Sequence, residues 1–319
     1  MEQIDILLAT YNGEKYLKEQ IESILNQTHT NFRLIISDDC SKDSTRDIIR
    51  EYAKKDKRIK YYFQDRNLGY VKNFEFLLST VQNEVYALSD QDDVWEIEKI
   101  EKYLEKMKLE DADLVFGDLE IVNENLETIN KSFNTYMNLK RKIKKCKNYE
   151  MLYLYNCVTG CTILAKSKLL EKILPIPTNT KHICHDYWIA LITSVHGKIA
   201  YVEQPYIKYR QHGDNQVGIK KTAQNMKNFQ DIRNLFIQVK LELFRTTVEN
   251  NNRFPEEIQQ RNKTSLQFFE MVSNKKNFNF KEWKTFYNLY KNESFKYFIL
   301  NFIIINLPFI GNILFKIRI

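Results

Sequence analysis

Short apolar runs alternate with amphipathic segments through the first third of the chain. Ile4 to Ala9 and Phe32 to Ile36 have the length of buried strands, and each is followed by a turn and by apolar residues at helical spacing. Three further runs continue the pattern, at Ile59–Phe63, Val85–Leu88 and Leu114–Phe116. Strands and helices that alternate over such short connections predict an α/β fold, with a mostly parallel sheet covered by helices on both faces.

Polar clusters follow four of these strands. They are Thr10–Gly13, Asp38–Asp39, Arg66–Gly69 and Asp90–Asp93. In open parallel sheets, ligands bind beyond the carboxyl ends of the strands. We therefore expect the four clusters to converge on one crevice, which unrelated surface loops would have no reason to do.

The cluster after the fourth strand is acidic. Asp90, Asp92 and Asp93 place three carboxylates within four residues of one strand end. Mg²⁺ and Mn²⁺ take oxygen ligands, and protein carboxylates commonly share Mg²⁺ with substrate phosphates. A solvated acidic loop is the alternative, but convergence with three other strand ends favours a cation site. Asp93 is either a partner behind the metal ligands or the cap of the next helix.

The second half of the chain is less regular. Asp186 to Val195 has a helical pattern, Ala200 to Val202 and Tyr206 to Tyr209 are typical of short strands, and residues 221–249 carry the apolar stripe of a long helix. These patterns predict a catalytic domain over residues 1–218. The remainder, residues 219–319, is predicted to be a C-terminal helical region.

The segment from Tyr297 to Phe315 is strongly apolar. Four residues interrupt it, Asn301, Asn306, Pro308 and Asn312. A spanning helix needs about 20 predominantly apolar residues, so we expect this tail to lie in the membrane interface rather than to cross the bilayer. A buried pair of core helices is the alternative.

Charge and cysteine content indicate which partners and which cellular compartment suit the protein. The 48 basic and 41 acidic residues give a formal net charge of +7, which suits anionic lipid or nucleotide phosphate but does not by itself indicate a nucleic-acid binder. The cysteines are odd in number and unpaired in spacing, at Cys40, Cys146, Cys157, Cys161 and Cys184. We expect reduced thiols, no zinc site, no export leader and a cytoplasmic protein on the inner face of the plasma membrane.

Four segments together resemble family 2 glycosyltransferases. They are LATYNGEKYL from Leu8, SDDCSKDST from Ser37, DQDDVW from Asp90 and HDYW from His185. The resemblance covers about residues 4–218. It implies the GT-A fold, a single nucleotide-sugar-binding α/β domain, and inverting transfer of a sugar from an activated diphosphate donor.

The resemblance also implies a donor site. Its base pocket would be lined by three consecutive residues, Thr10, Tyr11 and Asn12. Asp39 would accept a hydrogen bond from the pyrimidine ring, because a carboxylate only accepts and uracil and thymine each offer one ring N–H. Asp38 and Arg66 are further candidates for nucleotide binding.

By the same resemblance, Asp90 and Asp92 match the DxD pair. Asp90 is expected near the ribose or a metal-bound water, and Asp92 on the Mn²⁺ or Mg²⁺ that bridges the diphosphate. His212, in the segment YRQHGDN, would complete the metal shell, with Arg210 as an alternative phosphate partner.

The motif HDYW would carry the acceptor chemistry. Asp186 aligns with the general base that takes a proton from the attacking acceptor hydroxyl. Tyr187 and Trp188 are candidates to stack on acceptor sugar faces, although aromatic residues early in a helix often belong to the core.

The narrower hypothesis is a bacterial rhamnosyltransferase, since SDQDDVW, HDYW and YRQHGDN most resemble that group. The donor would be a UDP or dTDP sugar, and the acceptor a growing cell-surface glycan or a lipid-linked oligosaccharide. Two rivals remain: a phosphatase of the haloacid dehalogenase type with Asp90 as nucleophile and Asp92 beside it, and a non-catalytic membrane-associated module.

Overall fold

The computed structural model describes residues 2–137, 156–213 and 229–274, together with Leu139, Ile143, Leu152, Tyr153 and Lys284. Two compact units divide the chain. The first comprises Met1–Thr178 and Cys184–Gly213, and the second comprises Asn179–Ile183 and Asp214–Ile319. The predicted boundary at residue 218 lies outside the described residues.

The first unit contains the strands. In the described residues these are β1 (Ile4–Thr10), β2 (Phe32–Asp38), β3 (Ile59–Phe63), β4 (Val85–Ser89), β5 (Val94–Trp95), β6 (Leu114–Gly117), β7 (Glu120–Val122), β8 (Thr128–Asn130), β9 (Leu164–Lys166), β10 (Ile199–Val202) and β11 (Ile207–Arg210). Its helices are α1 (Leu17–Leu25), α2 (Thr45–Lys55), α3 (Tyr70–Ser79), α4 (Lys99–Glu110), α5 (Phe133–Tyr136), α6 (Leu170–Ile173) and α7 (His185–His196).

Seven strands form the main sheet, in the order β10-β6-β9-β4-β1-β2-β3. β1 lies between β2 and β4 and is parallel to both, with Thr10 opposite Asp38 and Leu8 opposite Ser89. Only β9 runs antiparallel to its neighbours in this sheet. The prediction of a mostly parallel sheet is confirmed.

Burial explains why these strands form the centre. Most residues of β1 and all residues of β4 are buried, which is expected of a strand covered on both faces. Ile6 and Leu8 of β1 belong to the same buried cluster as Leu17 and Ile21 of α1. The covered sheet leaves its carboxyl edge, where the loops emerge, as the place for a site.

A second sheet of four strands, in the order β5-β11-β7-β8, was not predicted from the sequence. β5 has two residues and pairs with β11 in antiparallel register, Trp95 with Ile207 and Val94 with Lys208. Strands this short carry too little periodicity to be read from a pattern. The pairing matters because it brings the segment after β11 next to the acidic loop after β4.

The second unit contains two long helices in its described part, α8 (Phe229–Glu249) and α9 (Glu256–Asn274). Phe244 and Phe269 stack between them with ring centroids 5.6 Å apart. The helix predicted over 221–249 is confirmed from Phe229 onward, and residues 221–228 lie outside the described residues. So does the apolar segment 297–315; among the residues that are described, no helix is long and apolar enough to cross a membrane.

One local prediction is wrong, and it concerns the cysteines. Cys157 is disulfide-bonded, whereas Cys40, Cys161 and Cys184 are not in disulfides. The expectation of reduced thiols therefore fails at Cys157.

Asp5, whose side chain is fully buried in β1, joins three parts of the chain near the amino end of the sheet. Arg33 Nε and Nη2 donate to its two carboxylate oxygens at 2.7 and 2.8 Å, and the N–H groups of Gln82 and Asn83 donate at 2.8 and 3.0 Å. Burial alone would raise the pKa of Asp5, but these hydrogen bonds outweigh it and hold the pKa below its ordinary value.

We expect Asp5→Asn to lower the free energy of unfolding by about 1–3 kcal/mol at neutral pH, because buried donors lose their acceptor. A carboxyl group with a depressed folded pKa stabilises above its unfolded pKa and loses that contribution as the pH falls through the folded value. The difference from wild type should therefore shrink below about pH 4. Denaturant unfolding at neutral and acidic pH measures it.

The control for this experiment is Asp47→Asn, which removes an exposed carboxylate paired with Arg50 and should change stability little. A stability loss for Asp5→Asn that is the same at both pH values would contradict the interpretation.

Candidate active site

The loop after β1 is bound to the loop after β2 by a row of hydrogen bonds. Thr10 Oγ1 donates to Asp38 Oδ1 at 3.2 Å, the Asn12 N–H donates to Ser41 Oγ at 2.8 Å, and the Gly13 N–H donates to Thr45 Oγ1 at 2.7 Å. Asn12 has φ +47°, a left-handed conformation that asparagine tolerates better than most residues. One network of hydrogen bonds thus holds the predicted base-pocket residues in place.

Asp38 is the centre of that hydrogen-bond network. Its side chain is 0% exposed and accepts hydrogen bonds from Thr10, from the Ser41 N–H and hydroxyl, and from Arg46 Nε at 2.7 Å. The carboxylate has no surface to offer a ligand. The prediction that Asp38 contacts the nucleotide is therefore corrected: its position is beneath the pocket loop.

Asp39 is 2% exposed and fixes the loop between β3 and α3. Its two carboxylate oxygens accept from the Leu68 N–H at 2.6 Å and the Gly69 N–H at 2.9 Å. Gly69 has φ +81°, which a glycine adopts without strain. An ionised carboxylate has about four acceptor positions, so Asp39 retains capacity for one more donor. Arg66 is exposed on the same loop and makes no hydrogen bond or ion pair within the described residues.

Gln91 makes a contact that the sequence did not reveal. Its Oε1 accepts from the Tyr11 N–H at 2.8 Å and its Nε2 donates to the Tyr11 carbonyl at 3.0 Å. Gly13 leaves room for this side chain, because a Cβ there would lie 2.3 Å from Gln91 Oε1. The middle residue of the acidic motif therefore joins the acid loop to the predicted base pocket, and the exposed Tyr11 ring stays free to contact a ligand.

Asp92 lies beside His212. Asp92 Oδ2 and His212 Nε2 are 2.8 Å apart, within hydrogen-bond distance. The His212 ring also packs on Tyr16, with centroids 4.9 Å apart. The structure thus brings together two of the three predicted metal ligands, although 120 residues separate them in the chain.

Arg210 supports the loop that carries Asp92. Its side chain is almost completely buried, and its Nε donates to the Asp92 carbonyl at 2.9 Å. The guanidinium lies 4.4 Å from the centre of the Tyr16 ring and forms an ion pair with Glu19. A guanidinium used in this way is not available to phosphate. The suggestion that Arg210 binds the donor diphosphate is therefore not supported by its position.

The carboxylates of Asp90 and Asp93 lie near one another in a poorly solvated place. Burial raises the pKa of Asp90 to about 7, and the charges of Asp92 and Asp186 add to the effect. Burial and the charges of Asp92 and Asp90 raise the pKa of Asp93 well above its ordinary value. Asp93 is not a helix cap, because α4 begins at Lys99 and Glu98 precedes it.

Asp186 is the second residue of α7 and is partly exposed. Its Oδ1 accepts from the Tyr187 N–H at 2.6 Å. Burial raises the pKa of Asp186 to about 6, against the effect of hydrogen bonds from the N–H groups of Tyr187 and Gly160. Because its charge also acts on Asp90, the two acids share one site despite their separation in sequence.

The residues after Asp186 point into the core. Tyr187 is 2% exposed and its hydroxyl donates to the Leu152 carbonyl, while Trp188 is 0% exposed and its Nε1 donates to the Ile173 carbonyl at 2.9 Å. A stacked sugar needs an open ring face. The prediction that these two rings bind an acceptor is wrong, since both rings are used in packing.

Comparison with known proteins places the chain in a family. The model of glycosyl transferase family 2 matches residues 5–173. The chain belongs to glycosyl transferase family 2. An uncharacterised glycosyltransferase of Methanocaldococcus jannaschii is 33% identical to this transferase over 212 residues, which are 65% of this chain and 70% of the relative. The dTDP-rhamnosyl transferase RfbG of Shigella flexneri is 31% identical over 223 residues, 66% of this chain and 73% of the relative.

The fold agrees. The structure of S. aureus TarS residues 1–349 in complex with UDP-GlcNAc matches with a TM-score of 0.57 at 16% identity, over 84% of this chain and 71% of that one. At this identity the likeness concerns the fold, and the transferase has the GT-A fold that the motifs led us to expect.

The donor atoms of the transferase fit a divalent cation at Asp92 and His212. A carboxylate and a neutral imidazole both suit Mn²⁺, and they already converge on one point. Asp90, Asp93 and Cys161 form a second group, with ligand atoms within 4.8 Å of one another. That group is less suitable for Mg²⁺ or Mn²⁺, because Asp93 and Cys161 are buried and a thiol is a soft ligand.

We expect Gln91→Ala to weaken UDP or dTDP binding by about 5- to 10-fold, because two hydrogen bonds that position Tyr11 are lost. Calorimetric titration measures the affinity. Gln3→Ala, at an exposed position before β1, is the control. Unchanged affinity in Gln91→Ala would show that the Tyr11 loop does not depend on this contact.

Proposed function

We propose that this family 2 transferase is an inverting, metal-dependent enzyme that moves a hexose or 6-deoxyhexose from a UDP or dTDP sugar to a growing cell-surface glycan. The observation that carries the proposal is the pairing of distant acids. The DxD loop after β4 and Asp186 at the start of α7 come close enough for their charges to interact. A donor-binding acid pair and a separate base in one crevice are what a single displacement requires.

The donor site would be built from the loops after β1, β2, β3 and β4. Asp39 retains an acceptor position for the ring N–H of uracil or thymine, and Tyr11 offers an exposed ring beside it. Arg66 is exposed and carries a charge suited to phosphate. Asp90 would face the ribose or a metal-bound water.

A Mn²⁺ or Mg²⁺ ion held by Asp92 and His212, with Asp90 beside them, would offset the negative charge of the departing nucleoside diphosphate. Burial and the charge of Asp92 raise the pKa of Asp90, and a cation at this place would relieve the unfavourable interaction. Which of the two ions serves is open to measurement.

Asp186 would act as the general base. A carboxyl with a pKa of about 6 is ionised at neutral pH and is a better proton acceptor than an ordinary aspartate. Its Oδ1 is oriented by the Tyr187 N–H, so the other oxygen can face the acceptor hydroxyl. Direct displacement at the anomeric carbon then inverts its configuration.

The proposed sugar and acceptor come from similarity and from sequence. The similarity to the S. flexneri dTDP-rhamnosyl transferase supports L-rhamnose as a candidate sugar. A lipid-linked acceptor and peripheral contact with the inner face of the plasma membrane rest on the apolar segment 297–315, which lies outside the described residues. Both remain proposals from sequence.

The rival functions are not favoured. A dehalogenase-type phosphatase would use Asp90 as a nucleophile, but the family match and the GT-A fold belong to a different class of enzyme. A non-catalytic module gives no reason for Asp186 to lie beside the acid loop.

Nucleotide binding tests the donor site. We expect UDP or dTDP to bind in a Mn²⁺-dependent manner and the affinity to fall at least about 10-fold in Asp92→Ala, because the metal that bridges protein and diphosphate is lost. Calorimetric titrations with and without Mn²⁺ measure it, with Asp47→Ala as an exposed control. If neither nucleotide binds under any condition, the proposed function fails.

Catalysis tests Asp186. We expect Asp186→Asn to lower the rate of nucleoside diphosphate release from UDP-glucose or dTDP-rhamnose by about 10²- to 10³-fold, with UDP affinity unchanged. The wild-type rate should rise with pH and level off above about pH 6, because a base works only when deprotonated. Asp47→Asn serves as control; wild-type rates in Asp186→Asn would refute the assignment of the base.

A further inference from the structure

Lys99 is the first residue of α4, and its side chain is 0% exposed. Burial removes the amino group from water and lowers the pKa of Lys99 well below its ordinary value, and the amino end of a helix adds unfavourable positive potential. Lys99 forms no ion pair with any carboxylate of the described residues. Its position therefore needs an explanation other than a salt bridge or a solvated surface.

Two contacts hold the Lys99 amino group in place. Lys99 Nζ donates to the Cys161 carbonyl at 3.0 Å, and it lies 3.1 Å from the centre of the Trp95 ring. Trp95 belongs to β5, directly after the acid loop. The amino group therefore contacts Cys161 on one side and the segment that follows the acid loop on the other.

The side chain of Cys161 lies next to the acids. Its thiol lies within 4.8 Å of carboxylate oxygens of Asp90 and Asp93. The backbone of Cys161 is thus held by the Lys99 amino group on one side, while its side chain lies against the acid loop on the other.

The turn that contains Cys161 also supports the proposed base. The Gly160 N–H donates to Asp186. Gly160 approaches α7 so closely that a Cβ there would lie 2.9 Å from His185 Nε2 and 3.5 Å from Asp186 Cβ. Movement of the turn Gly160–Thr162 would therefore move or release Asp186.

We propose that Lys99 is a positioning residue for the transfer reaction: its buried amino group fixes the turn Gly160–Thr162 to the acid loop, and thereby fixes the distance between the base Asp186 and the donor-binding acids. The inference rests on the proposed function, since it gives Asp186 its role. It concerns a residue that touches neither donor nor acceptor.

A purely structural role makes a different prediction. Buried ionic groups can often be replaced by apolar residues of similar volume with no loss of stability, and methionine matches the lysine stem in length. If Lys99 only fills the core, Lys99→Met should keep both stability and activity. If Lys99 positions the turn, Lys99→Met should stay folded and lose rate.

The experiment compares Lys99→Met with Lys102→Met, which removes a surface lysine one turn further along α4. The rate of nucleoside diphosphate release from UDP-glucose or dTDP-rhamnose and the UDP affinity are measured on the full chain. We expect kcat to fall at least about 10-fold in Lys99→Met, since small misplacements of a catalytic group are costly, with UDP affinity within about 2-fold and Lys102→Met like wild type. Lys99→Arg should restore part of the rate.

Hydrogen exchange gives a second measurement that does not depend on turnover. We expect faster amide exchange in the peptides that cover Gly160–Thr162 and Asp186 in Lys99→Met, and no such change in Lys102→Met. If Lys99→Met does not fold, Lys99→Gln, which keeps a donor without the charge, replaces it in both measurements.

The outcomes separate the two ideas. A wild-type protein that binds neither UDP nor dTDP refutes the proposed function. An active wild type with a Lys99→Met variant that keeps its kcat and its exchange pattern refutes the role of Lys99 alone. Loss of UDP affinity in parallel with kcat would also overturn it, because the variant would then have damaged the donor site.

Discussion

The parallel pairing of β1 with both β2 and β4 is the constraint on which the candidate site depends. Thr10 lies opposite Asp38, and Leu8 lies opposite Ser89, so the loops that follow leave the sheet at one edge and at one level. A shift of one residue would turn the side chains of β1 to the opposite face and break its packing on α1. The same pairing that buries the core therefore places Tyr11, Asp39 and Asp90 side by side at the carboxyl edge of the sheet.

Around that edge the chain keeps carboxylates close together with little water. Asp38 is balanced by Arg46, whereas Asp90 and Asp93 have raised pKa values because burial and like charges oppose their ionisation. Burying such acids lowers the stability of the folded protein. A site that binds a cation and a diphosphate has a use for them, because a bound cation compensates the negative charge of the carboxylates.

Much of this was available from the sequence, because apolar runs and helical spacing report burial directly. The strands up to Leu114–Phe116 and the acid loop were placed correctly for that reason. Tyr187 and Trp188 were misassigned because an aromatic residue looks the same in sequence whether its ring faces a sugar or the core. The contact of Lys99 with Cys161 could not be recognised, since it depends on how the short strand β5 and the reversed strand β9 fold. The hydrogen bonds of Gln91 with Tyr11 could not be recognised either, because the two residues are brought together only by the pairing of β1 with β4.

The reversal of β9 has a consequence for how members of such a family diversify. Because β9 runs against β4, with Leu164 opposite Ala87, the chain enters β9 at the catalytic edge and leaves it at the opposite edge. Insertions or replacements just before Gly160 therefore lie at the rim of the crevice, whereas those in the turn directly after Lys166 lie at the opposite edge, until α7 returns the chain to the site at Asp186. One inverted strand thus separates a segment where sequence change can alter substrate choice from a neighbouring segment that lies away from the crevice.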